Sequence, residues 1–234
     1  MESFNIKNRR YIFAGAFTNM ESIKLKREPI PDELKNGRVL LHCCCAPCST
    51  AIIEWMVQEG LHPGIFFSNS NIVPFEEYAH RRSELERYAA ACGLEVIDDE
   101  YDHDAWLAWV RSLESEHGSV AAMPERGLRC LECFKFRLMR AAEYAAVHEY
   151  DILTTTLASS RWKDLEQVDE AGRFACDAAN AAHSAGRSHV RWWGQNWRKG
   201  GLQERRGCLI REYGLYNQSY CGCEFSLHGL GSTI

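Results

Sequence analysis

No stretch of this sequence reaches the 18 or so consecutive apolar residues that a membrane-spanning helix needs, so a bilayer-crossing role is excluded. The first residues, MESFNIKNRRYIFAGAF, lack the apolar core and small-residue cleavage site of a secretion signal. The expected location is therefore cytoplasmic. There is no internal repeat and no low-complexity linker, which argues against a solenoid or a string of modules. Nor is there an excess of positive charge: the net charge of -5 argues against a purely electrostatic nucleic-acid binder. What remains is ordinary globular composition, 46% hydrophobic and 25% charged, in 234 residues. That length suffices for one core with a small appendage.

Cysteine, by contrast, is abundant and clustered. Seven of the 11 cysteines fall in three tight groups: Cys44, Cys45 and Cys48; Cys130 and Cys133; Cys221 and Cys223. In a reducing compartment such grouping indicates metal binding or catalysis rather than structural disulfides. A C-x-x-C pair at 130–133 is the common bidentate thiolate spacing for zinc, iron-sulfur clusters and redox dithiols. Gly222 lets Cys221 and Cys223 turn towards one point, either to ligate a metal or to close an easily reduced disulfide. Thiolates suit zinc and iron-sulfur clusters alike, and spacing does not choose between them. Cys43 alternates away from Cys44 at a strand end. It is a weaker candidate, and Cys92, Cys176 and Cys208 are expected to be packing residues or surface thiols.

The hydrophobic pattern alternates strands and helices. Strands are expected at 38–42, 64–67, 94–97, 151–156 and 190–193. Helices are expected at 51–57, 76–92, 104–113, 130–148, 164–182 and 209–213. This predicts an α/β fold with a parallel sheet, whose ligands bind at the carboxyl ends of the strands. The first strand runs straight into the cysteine loop, at the place where nucleotide-binding folds carry a glycine-rich phosphate cradle. Glycine is missing there and Pro47 stiffens the loop. Residues 1–36 form a lead-in, 37–226 the α/β domain and 227–234 a tail, with the C-terminal cysteines lying over the strand ends.

One segment is locally basic. Between Arg187 and Arg211 lie Arg191, Arg198, Lys199, Arg205 and Arg206, interleaved with Trp192, Trp193 and Trp197. Cations neutralise phosphate and indoles stack on unpaired bases, so Arg198, Arg205, Trp192 and Trp197 are candidate RNA contacts. The competing expectation is a basic surface over buried tryptophans.

Five motifs occur together in order: HCCCAPCST at 42–50; Asn69-Ser-Asn71 through Pro74 with Glu77, Tyr78 and Arg81; Pro124 to Arg137 around Cys130 and Cys133; Thr154 to Leu157 with Ser160; and Tyr213 to Cys223. In this arrangement the sequence resembles the QueH family of epoxyqueuosine reductases from about Val39 to Ser226. The resemblance implies a HUP-like three-layer α/β sandwich that reduces epoxyqueuosine to queuosine at the wobble nucleotide of tRNA, the last step of queuosine synthesis. It also implies a [4Fe-4S] cluster on Cys44, Cys45, Cys130 and Cys133, without cobalamin, and a second metal, iron or zinc, beside it. Cys221 and Cys223 correspond to the family's redox-active pair, and Cys48 lies beside the cluster. Cys48, Cys221 and Cys223 would hold the second metal or supply electrons as thiols, fed by an unidentified electron donor. Glu77, Tyr78 and Asp164 are candidate proton donors. Residues 115–123 are expected to be an insertion, and Asn217 stands where the family has arginine. Competing functions are a PP-loop-type tRNA thiolase, which would need an SGGxDS loop after the first strand, and a non-enzymatic zinc or RNA-binding protein.

Overall fold

The computed structural model describes Arg27, Ile30, residues 32–183 and residues 189–227. Most of the 1–36 lead-in, Arg187 and the tail after 227 lie outside the described residues. Five strands form the sheet: β1 (Val39–Cys43), β2 (Gly64–Phe67), β3 (Val96–Asp98), β4 (Ile152–Thr155) and β5 (Arg191–Trp192). Their order is β3-β2-β1-β4-β5 and every pairing is parallel. The helices are α1 (Asp32–Lys35), α2 (Ala46–Gln58), α3 (Phe75–Ala91), α4 (His103–Arg111), α5 (Glu114–His117), α6 (Leu128–Val147), α7 (Leu165–Ala182), α8 (Leu202–Glu212) and α9 (Glu224–Leu227).

Central strands β1 and β4 are buried along their whole length, as expected of a parallel sheet covered by helices. α2 packs with α3 and α8, whereas α6 packs with α4 and α7. The direction of strand succession reverses at β1, and right-handed crossovers then carry these two helix groups to opposite faces. His42 is the polar exception inside β1. Its ring nitrogens meet Thr155 Oγ1 at 2.7 Å and the Ser68 carbonyl at 3.0 Å. Burial, aided by the Arg137 charge, pulls its pKa down to about 3, so the ring is neutral.

Two helices start well before the expected residue, by a full turn or more. α2 begins at Ala46 rather than Ala51, with Pro47 in its first turn, where a missing N–H costs nothing. Ser49 does not cap this helix; its hydroxyl donates to the Cys45 carbonyl at 2.7 Å. The shift puts Cys45 at the helix cap and Cys48 in the first turn. α8 begins at Leu202 rather than Leu209, entered through Gly201 at φ 86°. The stretch expected as an insertion folds as α5 and a short turn anchored by buried Val120, whose carbonyl accepts from Arg129 at 2.7 Å.

Strand order reverses between β1 and β4. In an open parallel sheet the carboxyl ends on either side of such a switch part to leave a crevice. Here Cys44 follows one of those ends and Thr156 the other, and the Cys44 N–H donates to Thr156 Oγ1 at 3.1 Å.

Candidate functional site

The crevice is a cavity of about 530 Å³. Its wall includes Cys44, Cys48, Cys130, Cys133, Cys221 and Cys223. Cys45 stands just behind, and the sulfurs of Cys44, Cys45 and Cys48 lie within 4.8 Å of one another. A strand, a cap and a first helical turn produce this triad. β1 ends at Cys43 in extended geometry, Cys45 keeps extended φ and ψ as the cap, and α2 brings Cys48 back over them.

The three sulfurs share their protons unequally. Hydrogen bonds from Cys45, then from Cys48, hold Cys44 well below the ordinary thiol pKa against the cost of burial, with Lys163 and Arg137 assisting. Cys45 and Cys48 are pushed up in turn, because each donates to the Cys44 sulfur. One thiolate is thus solvated by two thiols. Thr156 Oγ1 is a further donor, 3.5 Å from the Cys44 sulfur, and Gln218 Nε2 donates to the neighbouring Cys45 sulfur at 2.9 Å.

Cys130 and Cys133 come from the first turns of α6. Burial raises both, Cys130 to about 11. The backbone N–H of Arg126 donates to the Cys130 sulfur at 3.3 Å, and Arg126 itself has φ 64°. Cys221 and Cys223 arrive on the last described loop. Arg81, buried on α3 and fixed by Glu77 at 2.7 Å, donates to the Cys221 and Tyr220 carbonyls at 3.0 and 3.3 Å. The Gly222 carbonyl accepts from the Val73 N–H at 2.9 Å. Gly222 has φ 115°, and a Cβ there would meet Ile72 at 2.9 Å and Arg81 at 3.1 Å, so only glycine lets both flanking cysteines face the crevice. A hydrogen bond from Cys223 holds the Cys221 thiol low against burial, with Lys163, Arg137 and Arg81 adding to it, and Cys223 is raised.

Lys163 and Arg137 are the cations common to both thiolates. Burial would lower the Lys163 ammonium, yet Cys221, Cys44 and Cys48 outweigh that and raise it. Its Nζ stands 4.0 Å from the Cys221 sulfur. Arg137, buried on α6, donates to the Ser68 carbonyl at 3.2 Å and to Asn69 Oδ1, and its positive charge lies under the thiolates. A thiol-rich donor set of this kind fits a soft metal or an iron-sulfur cluster on ligand type. All 11 cysteines are free thiols.

Several expected residues lie elsewhere. Trp197 is fully buried and donates to the Thr155 carbonyl at 3.0 Å. It packs with Trp193 and with Trp55 of α2 at centroid distances of 5.5 and 5.7 Å. Trp192 lies against Gly172 of α7 and donates to Asp169 at 3.0 Å. These indoles glue β5 and its exit loop to neighbouring helices, Trp193 and Trp197 as buried residues and Trp192 as a half-buried one. Arg205 is also buried, gripping Glu54 of α2 through two bonds of 2.6 Å. Arg198 turns inward to the Ser160 and Lys163 carbonyls. For Arg205 and Trp197, which are buried, the expectation of RNA contact is corrected, since both support packing; Trp192 and Arg198 are half-buried and also hold neighbouring elements together. Glu77 is engaged with Arg81 and Tyr216, and Tyr78 is buried against Asp98 at 3.1 Å, so neither reaches the cavity. Asp164 does line it, while capping α7 through Glu166 N at 2.8 Å. Cys43 is fully buried in β1.

Residue patterns had not singled out Lys163, Arg126 or Trp162. The one available signal was position, since the 160–163 segment leaves the carboxyl end of β4, where crevice residues gather.

Among the described residues no helix is long and apolar enough to cross a membrane. The family described as epoxyqueuosine reductase QueH matches residues 39–229. The chain is 38% identical to the epoxyqueuosine reductase QueH of Haemophilus influenzae over 197 residues, covering 83% of this chain and 74% of that protein. It is 38% identical to that of Acinetobacter baylyi, covering 88% and 85%, and 32% identical to that of Thermotoga maritima, covering 82% and 91%. Because the family match runs from the first residue of β1 to beyond Cys223, it takes in all seven clustered cysteines, and the chain belongs to the QueH family of epoxyqueuosine reductases, which are oxidoreductases.

Proposed function

We propose that this protein reduces epoxyqueuosine to queuosine at the wobble nucleotide of tRNA, working from the thiol-lined crevice between β1 and β4. The observation that carries this reading is the convergence of three separate cysteine groups on one cavity, with two thiolates facing one ammonium. In this proposal Cys44, Cys45, Cys130 and Cys133 hold a [4Fe-4S] cluster, and Cys48, Cys221 and Cys223 hold a second metal or act as thiols. When bound, the cluster supplies single electrons from an external donor.

Deoxygenating an epoxide to an alkene breaks two C–O bonds, consumes two electrons and two protons, and releases water. The chain's own groups serve the oxygen and the surroundings. Lys163 holds a proton at Nζ inside the cavity, within reach of the Cys221 sulfur, and is placed to meet oxygen as it leaves carbon. Arg81 and the glycine turn at Gly222 fix where Cys221 points, and Arg137 adds positive charge nearby. Arg126, Arg129, Arg161 and Arg206 around the cavity favour a polyanion.

The test is an anaerobic assay of the iron- and sulfide-reconstituted chain on epoxyqueuosine-containing tRNA with a chemical reductant. Queuosine in the digested tRNA is the expected product. No conversion by fully loaded protein, or stoichiometric zinc without iron after anaerobic preparation, refutes the proposal.

A further inference from the structure

Five large apolar side chains are exposed among the described residues: Phe75, Leu128, Val147, Trp162 and Phe174. Trp162 is the most exposed, at 65%, and alone of the five lines the crevice. Single exposed apolar residues are common and need no explanation. The setting of this one is different. The Arg161 guanidinium lies 4.8 Å from its ring centroid. The loop that bears it is also held in an unusual way, since every carbonyl from 159 to 163 accepts from a side chain. Gln203 takes that of Ser159, Arg198 those of Ser160 and Lys163, and Arg126 those of Arg161 and Trp162. A loop tied at each peptide loses little further freedom on binding, so the indole is a preorganised surface rather than a mobile side chain on a slack turn.

Resting on the tRNA reading above, we propose that Trp162 and Arg161 form a stacking platform at the cavity mouth that receives an unpaired nucleobase beside the nucleotide being reduced. A reacting base must leave its stack to reach sulfur groups at the bottom of a crevice. Its neighbours then lose a partner, and an aromatic face flanked by a guanidinium replaces it without demanding a particular sequence. The same side chains tie the platform to the thiols. Arg126 grips the two platform carbonyls while its own N–H donates to Cys130, and Lys163, the next residue after Trp162, faces Cys221.

The test uses the reconstituted full chain and an anticodon stem-loop RNA carrying epoxyqueuosine. Trp162→Ala should weaken RNA binding about ten-fold, whereas Trp162→Phe should stay within about three-fold because it keeps a stacking face. In wild type, saturating RNA should shield an acrylamide-quenchable indole that Trp162→Phe lacks. Unaltered affinity of Trp162→Ala, or an indole still quenchable at saturating RNA, overturns the platform even if reduction proceeds. Shielding without RNA that grows with protein concentration assigns the indole to a second copy of this chain and also overturns it. Shielding by RNA without any conversion would uphold the platform while refuting the reductase assignment. Should Trp162→Ala fail to fold, the quenching of wild type and Trp162→Phe still decides.

Discussion

Replacing Arg205 by alanine should cost stability and leave RNA binding alone. The Arg205 and Glu54 side chains are 8% and 2% exposed and meet through two bonds, while Glu212 lies 3.6 Å away on the outer side. Removing the guanidinium strands a carboxylate in the interface between α2 and α8. Losing one member of a buried pair costs about 3–5 kcal/mol. For a chain of this size each kcal/mol moves Tm by about 2–4 °C, so Arg205→Ala should melt about 6–20 °C lower in calorimetry. Replacing both partners by apolar residues, Glu54→Leu with Arg205→Met, should recover most of that loss, since no charge is then stranded. Below the melting range the single variant should bind tRNA with wild-type affinity and salt dependence. A Tm within 2 °C of wild type (about 1 kcal/mol or less) combined with clearly weaker, less salt-dependent binding would refute this reasoning and return Arg205 to the RNA surface.

Cys221→Ser should abolish reduction yet keep most of the visible absorption of the reconstituted protein, whereas Cys44→Ser or Cys130→Ser should lose it; a fully active Cys221→Ser excludes the turnover role. Gly222→Ala forces a positive φ on a side chain that meets Ile72 and Arg81, at a strain of about 1–3 kcal/mol. It should lower both Tm and turnover, and wild-type values for both would show the turn to be unimportant. Lys163→Met removes a cation that lowers the Cys221 pKa. With less to stabilise the thiolate, the midpoint for alkylating Cys221 in metal-free protein should move to higher pH, and a midpoint unchanged or lower contradicts the assignment.

Much of this architecture was legible in the sequence because strands such as Val39–Cys43 are short, apolar apart from His42, and bounded by breakers. β2 begins and ends where the pattern places it, at Gly64 and Phe67. The start of α2 was obscured because Ala46, Pro47 and Cys48 carry no apolar period, and because Ser49 resembles a cap but bonds backward into the helix. The cysteine groups announced a site through spacing, and the fold places six of the seven in one cavity wall. Two of the RNA candidates, Arg205 and Trp197, were misread for a physical reason. A run of arginines and tryptophans has the same composition whether it faces phosphate or holds β5 and α8 against α2. Only the burial of Glu54, on the α2 helix packed directly against α8 but distant in sequence, decides for Arg205. Arg198 holds the loop that presents Trp162.

Order of synthesis gives the glycine turn at 221–223 a further meaning. The triad at 44–48 leaves the ribosome about 175 residues before Cys221, which at typical elongation rates is a delay on the order of ten to thirty seconds. Over that interval the nascent chain offers soft ligands without the segment that roofs them. A metal ion captured then would meet an open, incomplete set of sulfurs. In the assignment proposed above, docking of the 221–223 loop through Arg81 and Val73 is the event that completes the donor set, dividing the chain's life into a period of promiscuous thiols and a period of one defined site.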